Sequence, residues 1–93
     1  MSDKGTIRVF IADDHAIVRE GLKQILAEQR DIIVAGEAET GLDAVKVVGK
    51  ARPHVMLLDI SLPDRNGIDV LKQIKKDRPE LAVLMLSMPV SYT

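Results

Sequence analysis

The stretch Val55–Gly67, VMLLDISLPDRNG, decides the fold. Val55, Met56, Leu57 and Leu58 form an uninterrupted apolar run, which fits a strand buried on both faces because no polar residue alternates within it. The run ends in Asp59. Leu62-Pro63-Asp64-Arg65-Asn66-Gly67 is turn chemistry, with Asn66 and Gly67 able to take positive φ. Ile68, Leu71 and Ile74 then recur at helical spacing, with Asp69, Lys72, Lys75 and Lys76 on the outer face, until Arg78-Pro79 stops the helix.

The same unit recurs on either side. Ile7, Val9, Phe10, Ile11 and Ala12 form an apolar run ended by Asp13 and Asp14. From Asp14 or His15 the period becomes helical: Ile17, Val18, Leu22, Ile25 and Leu26 share one face, while Arg19, Glu20, Lys23, Gln24 and Glu28 face water. Residues 32–36, IIVAG, read as a second strand, and Glu39-Thr40-Gly41 opens a helix carrying Leu42, Val45 and Val48 inward until Arg52-Pro53 closes it. Residues 81–86, LAVLML, read as a fourth strand, ended by Ser87. Strands and helices in strict alternation predict an α/β fold, a parallel sheet covered on both faces with right-handed crossovers.

Ninety-three residues leave room for one small domain. Lys+Arg 13 against Asp+Glu 14 gives a net charge of -1, so no basic footprint for nucleic acid is present. A composition 46% hydrophobic and 29% charged excludes intrinsic disorder. Without cysteine there is no disulfide framework and no thiolate metal cluster. The start lacks the form of a signal peptide, and no apolar run approaches the roughly 20 residues that span a bilayer. Cytoplasmic localisation, away from membranes, is the expectation.

In a parallel sheet all strands point the same way, so Asp13, Asp14, Asp59 and Ser87 should gather at one rim, outside the C-terminal strand ends where α/β sheets bind ligands. Three carboxylates placed together repel one another unless a cation joins them, and an all-oxygen cluster suits a hard ion such as Mg²⁺. With the ion present, one carboxylate can attack a phosphoryl group while the Ser87 hydroxyl donates to another oxygen.

Val9-Phe10-Ile11-Ala12-Asp13-Asp14-His15, then Leu58-Asp59-Ile60-Ser61-Leu62-Pro63 with Gly67, and Leu86-Ser87 together resemble the receiver domain of bacterial two-component response regulators. Ala12-Asp13-Asp14-His15 followed by Val18-Arg19-Glu20-Gly21-Leu22 most resembles the LuxR/NarL-type branch, whose receivers precede a helix-turn-helix DNA-binding domain. The likeness covers about residues 7–88. It implies a flavodoxin-like doubly wound sheet, ordered 2-1-3-4-5 in the family. Asp59 would be the phosphoacceptor, loaded by a sensor histidine kinase. Asp14, Asp59 and the backbone carbonyl of Ser61 would ligate Mg²⁺, with Asp13 helping, and Ser87 would be the switch hydroxyl. Pro63 and Gly67 would shape the loop beyond Asp59.

Against that family pattern, the sequence is expected to be one receiver domain, 1–93, lacking the last helix-strand-helix and the output domain, with a short tail at 89–93. No Lys follows Lys76, where the family places one near the phosphoryl group. Direct DNA contact is therefore not expected. An uncharged fourth strand at a sheet edge predicts self-association or domain swapping. Three functions compete. The first is a phosphoacceptor module controlling transcription in a longer protein, without turnover as an enzyme. The second is a phosphorylation-independent dimerisation or inhibitory module, and the third a metal-dependent phosphohydrolase, for which neither a general acid nor a substrate cap is visible. His15 reads as a surface residue of the first helical turn, and His54 as structural.

Overall fold

Apolar residues at Val9 to Ala12, Met56 and Leu58 have no solvated face to turn outward, so the chain buries them in the middle of a sheet with helices laid over it. The computed structural model describes residues 5–86. In chain order the elements are β1 (Ile7–Ala12), α1 (Ala16–Ala27), β2 (Ile32–Ala38), α2 (Gly41–Ala51), β3 (Val55–Asp59), α3 (Gly67–Asp77) and β4 (Ala82–Leu86). All pairings are parallel and the strand order is β2-β1-β3-β4. The parallel sheet is the one expected from the alternation, and its order is that of the doubly wound fold which the resemblance implies. None of the helices among the described residues is long and apolar enough to cross a membrane.

Register sorts the side chains onto two faces. Phe10 pairs with Gly36 and Met56, and Ala12 with Ala38 and Leu58. These residues meet Ala44, Val48 and Ala51 of α2 and Val70 and Ile74 of α3 in one buried core. α1 lies on the opposite face, where Glu37, adjacent to Ala38 and so turned the other way, accepts from Arg19 and Lys23. A register shift between Val9 and Phe10 skips Ala35 and lets β2 run on to Ala38, beyond the expected end at Gly36.

The helices deviate from the expected faces. In α1, Ile17 and Ile25 are 87% and 60% exposed, whereas the Arg19 side chain is only 13% exposed. The helix sits over the β1–β2 side of the sheet, so its inner face is the Val18, Leu22 and Leu26 side, and Arg19 is drawn in by Glu37 and the Asp13 carbonyl. In α2 the buried stripe is Gly41, Ala44, Val48 and Ala51, with Leu42 exposed. In α3 it is Gly67, Val70 and Ile74, with Ile68 exposed. Both stripes keep the helical period but are turned by one or two residues. The face carrying α1 is only partly covered: Leu84 of β4, beside Leu57, is 57% exposed.

Helix ends are closed by identifiable groups. Thr40 caps α2 by accepting from the Asp43 amide, and Asn66 caps α3 by accepting from the Ile68 amide. Arg52 leaves α2 with φ 50°, and the Arg8 guanidinium donates to the carbonyls of Ala51 and Arg52, a cation where the helix dipole is negative. His54 proves structural, as expected: its ring Nδ1 accepts the Arg8 amide and its own amide donates to the Arg8 carbonyl.

Candidate functional site

Strand geometry brings the carboxylates together. Asp13 is the residue after β1, and its amide donates to the Ala38 carbonyl at the end of β2. Asp59 ends β3, and the next amide, Ile60, donates to the Leu86 carbonyl at the end of β4. The rim is thus held by continued sheet bonding on both sides. Asp13 and Asp59 are buried, with side chains 5% and 7% exposed, and Asp14 is partly open at 29%. One donor atom from each of Asp13, Asp14, His15 and Asp59 lies within 4.8 Å of the others. Three of the four expected metal residues therefore converge.

Each carboxylate is differently engaged. Asp13 Oδ1 accepts the His15 amide at 2.8 Å, a turn that starts α1, and lies 2.9 Å from His15 Nδ1. Asp59 Oδ1 accepts both the Ser61 amide at 2.9 Å and the Ser61 hydroxyl at 3.0 Å. This leaves Asp59 Oδ2 facing the cluster, 3.8 Å from His15 Nδ1. Asp14 Oδ1 is buried and has no hydrogen-bond partner among the described residues. A buried carboxylate oxygen without a donor is costly, and a cation is the partner that both satisfies it and offsets three adjacent negative charges. The residues fit a divalent ion.

His15 is a surface residue as expected, its side chain 56% exposed, but it is the N-cap of α1 rather than part of its first turn, and its ring lies beside the cluster. The hydrogen bond to Asp13, followed by the negative charge of Asp14, holds its imidazole above the ordinary value of 6.5. Adjacency to the acidic pair was the available sequence signal; which way the ring turns depends on the α1 start. Ser61 does sit against Asp59, though through its amide and hydroxyl. Ser87 lies outside the described residues.

Two contacts had no expectation attached. Arg19 Nη1 donates to the Asp13 carbonyl at 2.7 Å while its Nε donates to Glu37, strapping α1 to the rim. The Asp64 carboxylate accepts the Gly41 amide at 2.7 Å and the Leu42 amide at 3.0 Å, fastening the loop after Asp59 to the start of α2. The Arg19–Glu37 and Asp64–Gly41 contacts join residues 18 and 23 positions apart. At Gly67 the need is space rather than positive φ: an added Cβ would stand 2.6 Å from Ile60 Cα and 2.8 Å from the Asp59 carbonyl oxygen. Asn66 also has ordinary backbone, φ -65°.

Comparison with known proteins places this geometry in a wider set. Residues 9–92 match the family described as response regulator receiver domain. The chain is 47% identical over 58 residues to the uncharacterised transcriptional regulatory protein YhcZ of Bacillus subtilis, covering 62% of this chain and 27% of that protein. It is similar in structure to the response regulator domain of Thermotoga maritima CheB, with TM-score 0.83 and 43% identity over 88% of this chain and 60% of that one. A LuxR-family two-component response regulator from Aurantimonas sp. SI85-9A1 gives TM-score 0.85 at 27% identity, over 90% and 60%. The chain spans about a quarter of the length of the curated transcriptional relatives it matches.

Proposed function

We propose that this chain, which belongs to the response regulator receiver domain family, accepts its phosphoryl group on Asp59. As a member of that family it is a phosphoacceptor signalling domain, related to the LuxR/NarL-type regulators, and not a catalytic domain. The observation that carries the assignment of Asp59 is its convergence with Asp13 and Asp14 within 4.8 Å, with Asp59 Oδ2 left facing the cluster.

In this reading Asp59 Oδ2 attacks phosphorus, an O–P bond forms, the N–P bond of a kinase phosphohistidine breaks, and the departing imidazole takes its proton from solvent. Asp14 and Asp59, with the Ser61 carbonyl, would hold Mg²⁺, and Asp13 would assist. A bound Mg²⁺ would neutralise phosphoryl oxygens as charge shifts. Ser61, donating twice to Oδ1, fixes the carboxylate so that the same oxygen is presented each time. Ser87 would supply the switch hydroxyl. The kinase partner, cytoplasmic location, a single receiver domain over 1–93 and transcriptional output through a separate DNA-binding domain follow from the same proposal. Similarity to CheB at 43% identity, beside similarity to transcriptional regulators, indicates that receiver residues do not themselves specify the output.

The test is loading of the 93-residue chain by acetyl phosphate with and without Mg²⁺, read by intact mass. One phosphoryl group should be gained only with the ion, and Asp59→Asn should abolish it. Gain by Asp59→Asn equal to wild type would remove Asp59 from the role. A second reading, self-association or inhibitory pairing through an apolar face, is favoured by the exposure of Leu84, Ile17 and Ile25.

A further inference from the structure

Arg19 reaches from the first turn of α1 back to the end of β1. Its amide donates to the His15 carbonyl, so it stands one turn into the helix, and its Nη1 returns to the Asp13 carbonyl at 2.7 Å. In a parallel pair the amide and carbonyl of one residue address the same neighbouring strand, so both groups of Asp13 point toward β2. The Asp13 amide meets the carbonyl of Ala38, where β2 ends, and no further residue of that strand follows to supply a donor for the Asp13 carbonyl. The guanidinium stands in the place of that missing amide.

The contact is shielded and anchored twice. The Arg19 side chain is only 13% exposed, and its Nε donates to Glu37 Oε1 at 2.9 Å, which fixes the plane of the guanidinium. Glu37 is itself held by Lys23, whose Nζ lies 2.8 Å from Oε2. The group fixed by this arrangement is the peptide unit between Asp13 and Asp14. Asp13 has a tether of its own, since its Oδ1 accepts the His15 amide, but Asp14 Oδ1 accepts no hydrogen bond among the described residues. The direction of the Asp14 carboxylate therefore follows the peptide plane before it, and Arg19 holds that plane by its carbonyl.

We propose that Arg19 is a positioning residue for phosphoryl acceptance on Asp59: by holding the Asp13 carbonyl it aims the Asp14 carboxylate at the ion site beside Asp59. The inference rests on the reading of Asp13, Asp14 and Asp59 as a Mg²⁺ site. Arg19 acts through the backbone of Asp13 and Asp14, with Glu37 setting the plane of its guanidinium.

The experiment measures the Mg²⁺ affinity of the whole 93-residue chain by amide NMR titration, with the thermal midpoint and the Asp13 carbonyl-carbon resonance recorded for each variant. Arg19→Met removes the donors and keeps an apolar stem, Arg19→Gln keeps a polar end too short for Asp13, and Lys23→Met removes the other cation on Glu37 without touching Asp13. Both Arg19 variants should weaken Mg²⁺ binding by about tenfold or more, the loss typical when a group that orients a metal ligand is removed. Their Asp13 carbonyl carbon should move upfield, and loading by acetyl phosphate should fall at low Mg²⁺ and recover when Mg²⁺ is raised. Lys23→Met should bind Mg²⁺ as wild type does, whatever its midpoint. Two substitutions at Arg19 keep the outcome readable if one of them disturbs the fold. Wild-type Mg²⁺ affinity in a folded Arg19 variant would overturn the role. So would an equal loss in Lys23→Met, because the ion pairs would then act only through stability. Failure of wild type to bind Mg²⁺ would instead remove the ion site on which the inference rests.

Discussion

The Asp64 carboxylate grips the first turn of α2 with both oxygens, Oδ1 on the Gly41 amide at 2.7 Å and Oδ2 on the Leu42 amide at 3.0 Å. Helix N-termini leave these amides unpaired, and Thr40 satisfies only the Asp43 amide. Asp64 lies five residues beyond Asp59, so the loop that follows the proposed phosphoacceptor is anchored to a helix from another part of the chain.

Asp64→Ala should therefore lower the thermal midpoint and move the amide resonances of both Gly41 and Ser61, whereas a purely local cap would leave Ser61 still. The pH dependence has a definite sign. The Gly41 amide, foremost among its partners, holds the Asp64 carboxyl below its ordinary 3.8. A carboxyl lowered on folding contributes stability in full above that ordinary value, lost as pH falls through the lowered folded one. Midpoints recorded between neutral pH and strong acid should show a shallower acid limb in Asp64→Asn than in wild type; superimposable limbs would count against the contact.

Gly67→Ala brings a methyl group against backbone rather than against a yielding side chain, 2.6 Å from Ile60 Cα and 2.8 Å from the Asp59 carbonyl oxygen. Overpacking of this kind costs about 1–3 kcal/mol. The expected result in urea denaturation is a lower midpoint together with weaker Mg²⁺ binding, because relief requires the Asp59–Ile60 backbone to shift. Retention of wild-type stability would show that α3 moves away freely.

Phe10 is fully buried between α2 and the sheet, and β1 is the strand that links β2 to β3. Phe10→Ala should cost about 3–5 kcal/mol. Small domains hold about 5–15 kcal/mol in all, so the variant should be largely unfolded by circular dichroism at modest urea concentrations where wild type is folded. A midpoint near that of wild type would mean that the core collapses around the gap.

Leu84 is exposed on an outer strand of the sheet, on the same face as the uncovered residues of α1. A lysine there keeps the strand but adds a charge that opposes edge pairing and apolar contact. Sedimentation velocity should show concentration-dependent association of the wild-type chain that Leu84→Lys reduces. Equal association in both would move the contact to another surface.

Sequence by itself determined the alternation of elements, the parallel sheet and the placing of Asp13, Asp14 and Asp59 at one rim, because these depend on local period and on strands running the same way. Uninterrupted apolar runs ended by acids carry that information residue by residue. Tertiary structure decided the rest. Ile17 and Ile25 share the helical period of Val18 and Leu22, and only the seat of α1 over β1 and β2 turns them outward and draws Arg19 in. The place of the His15 ring beside the cluster, the reach of Asp64 to α2 and the space at Gly67 are distances between segments far apart in the chain or across a turn. Such distances are fixed by packing, which the order of residues constrains only once all the layers are in place.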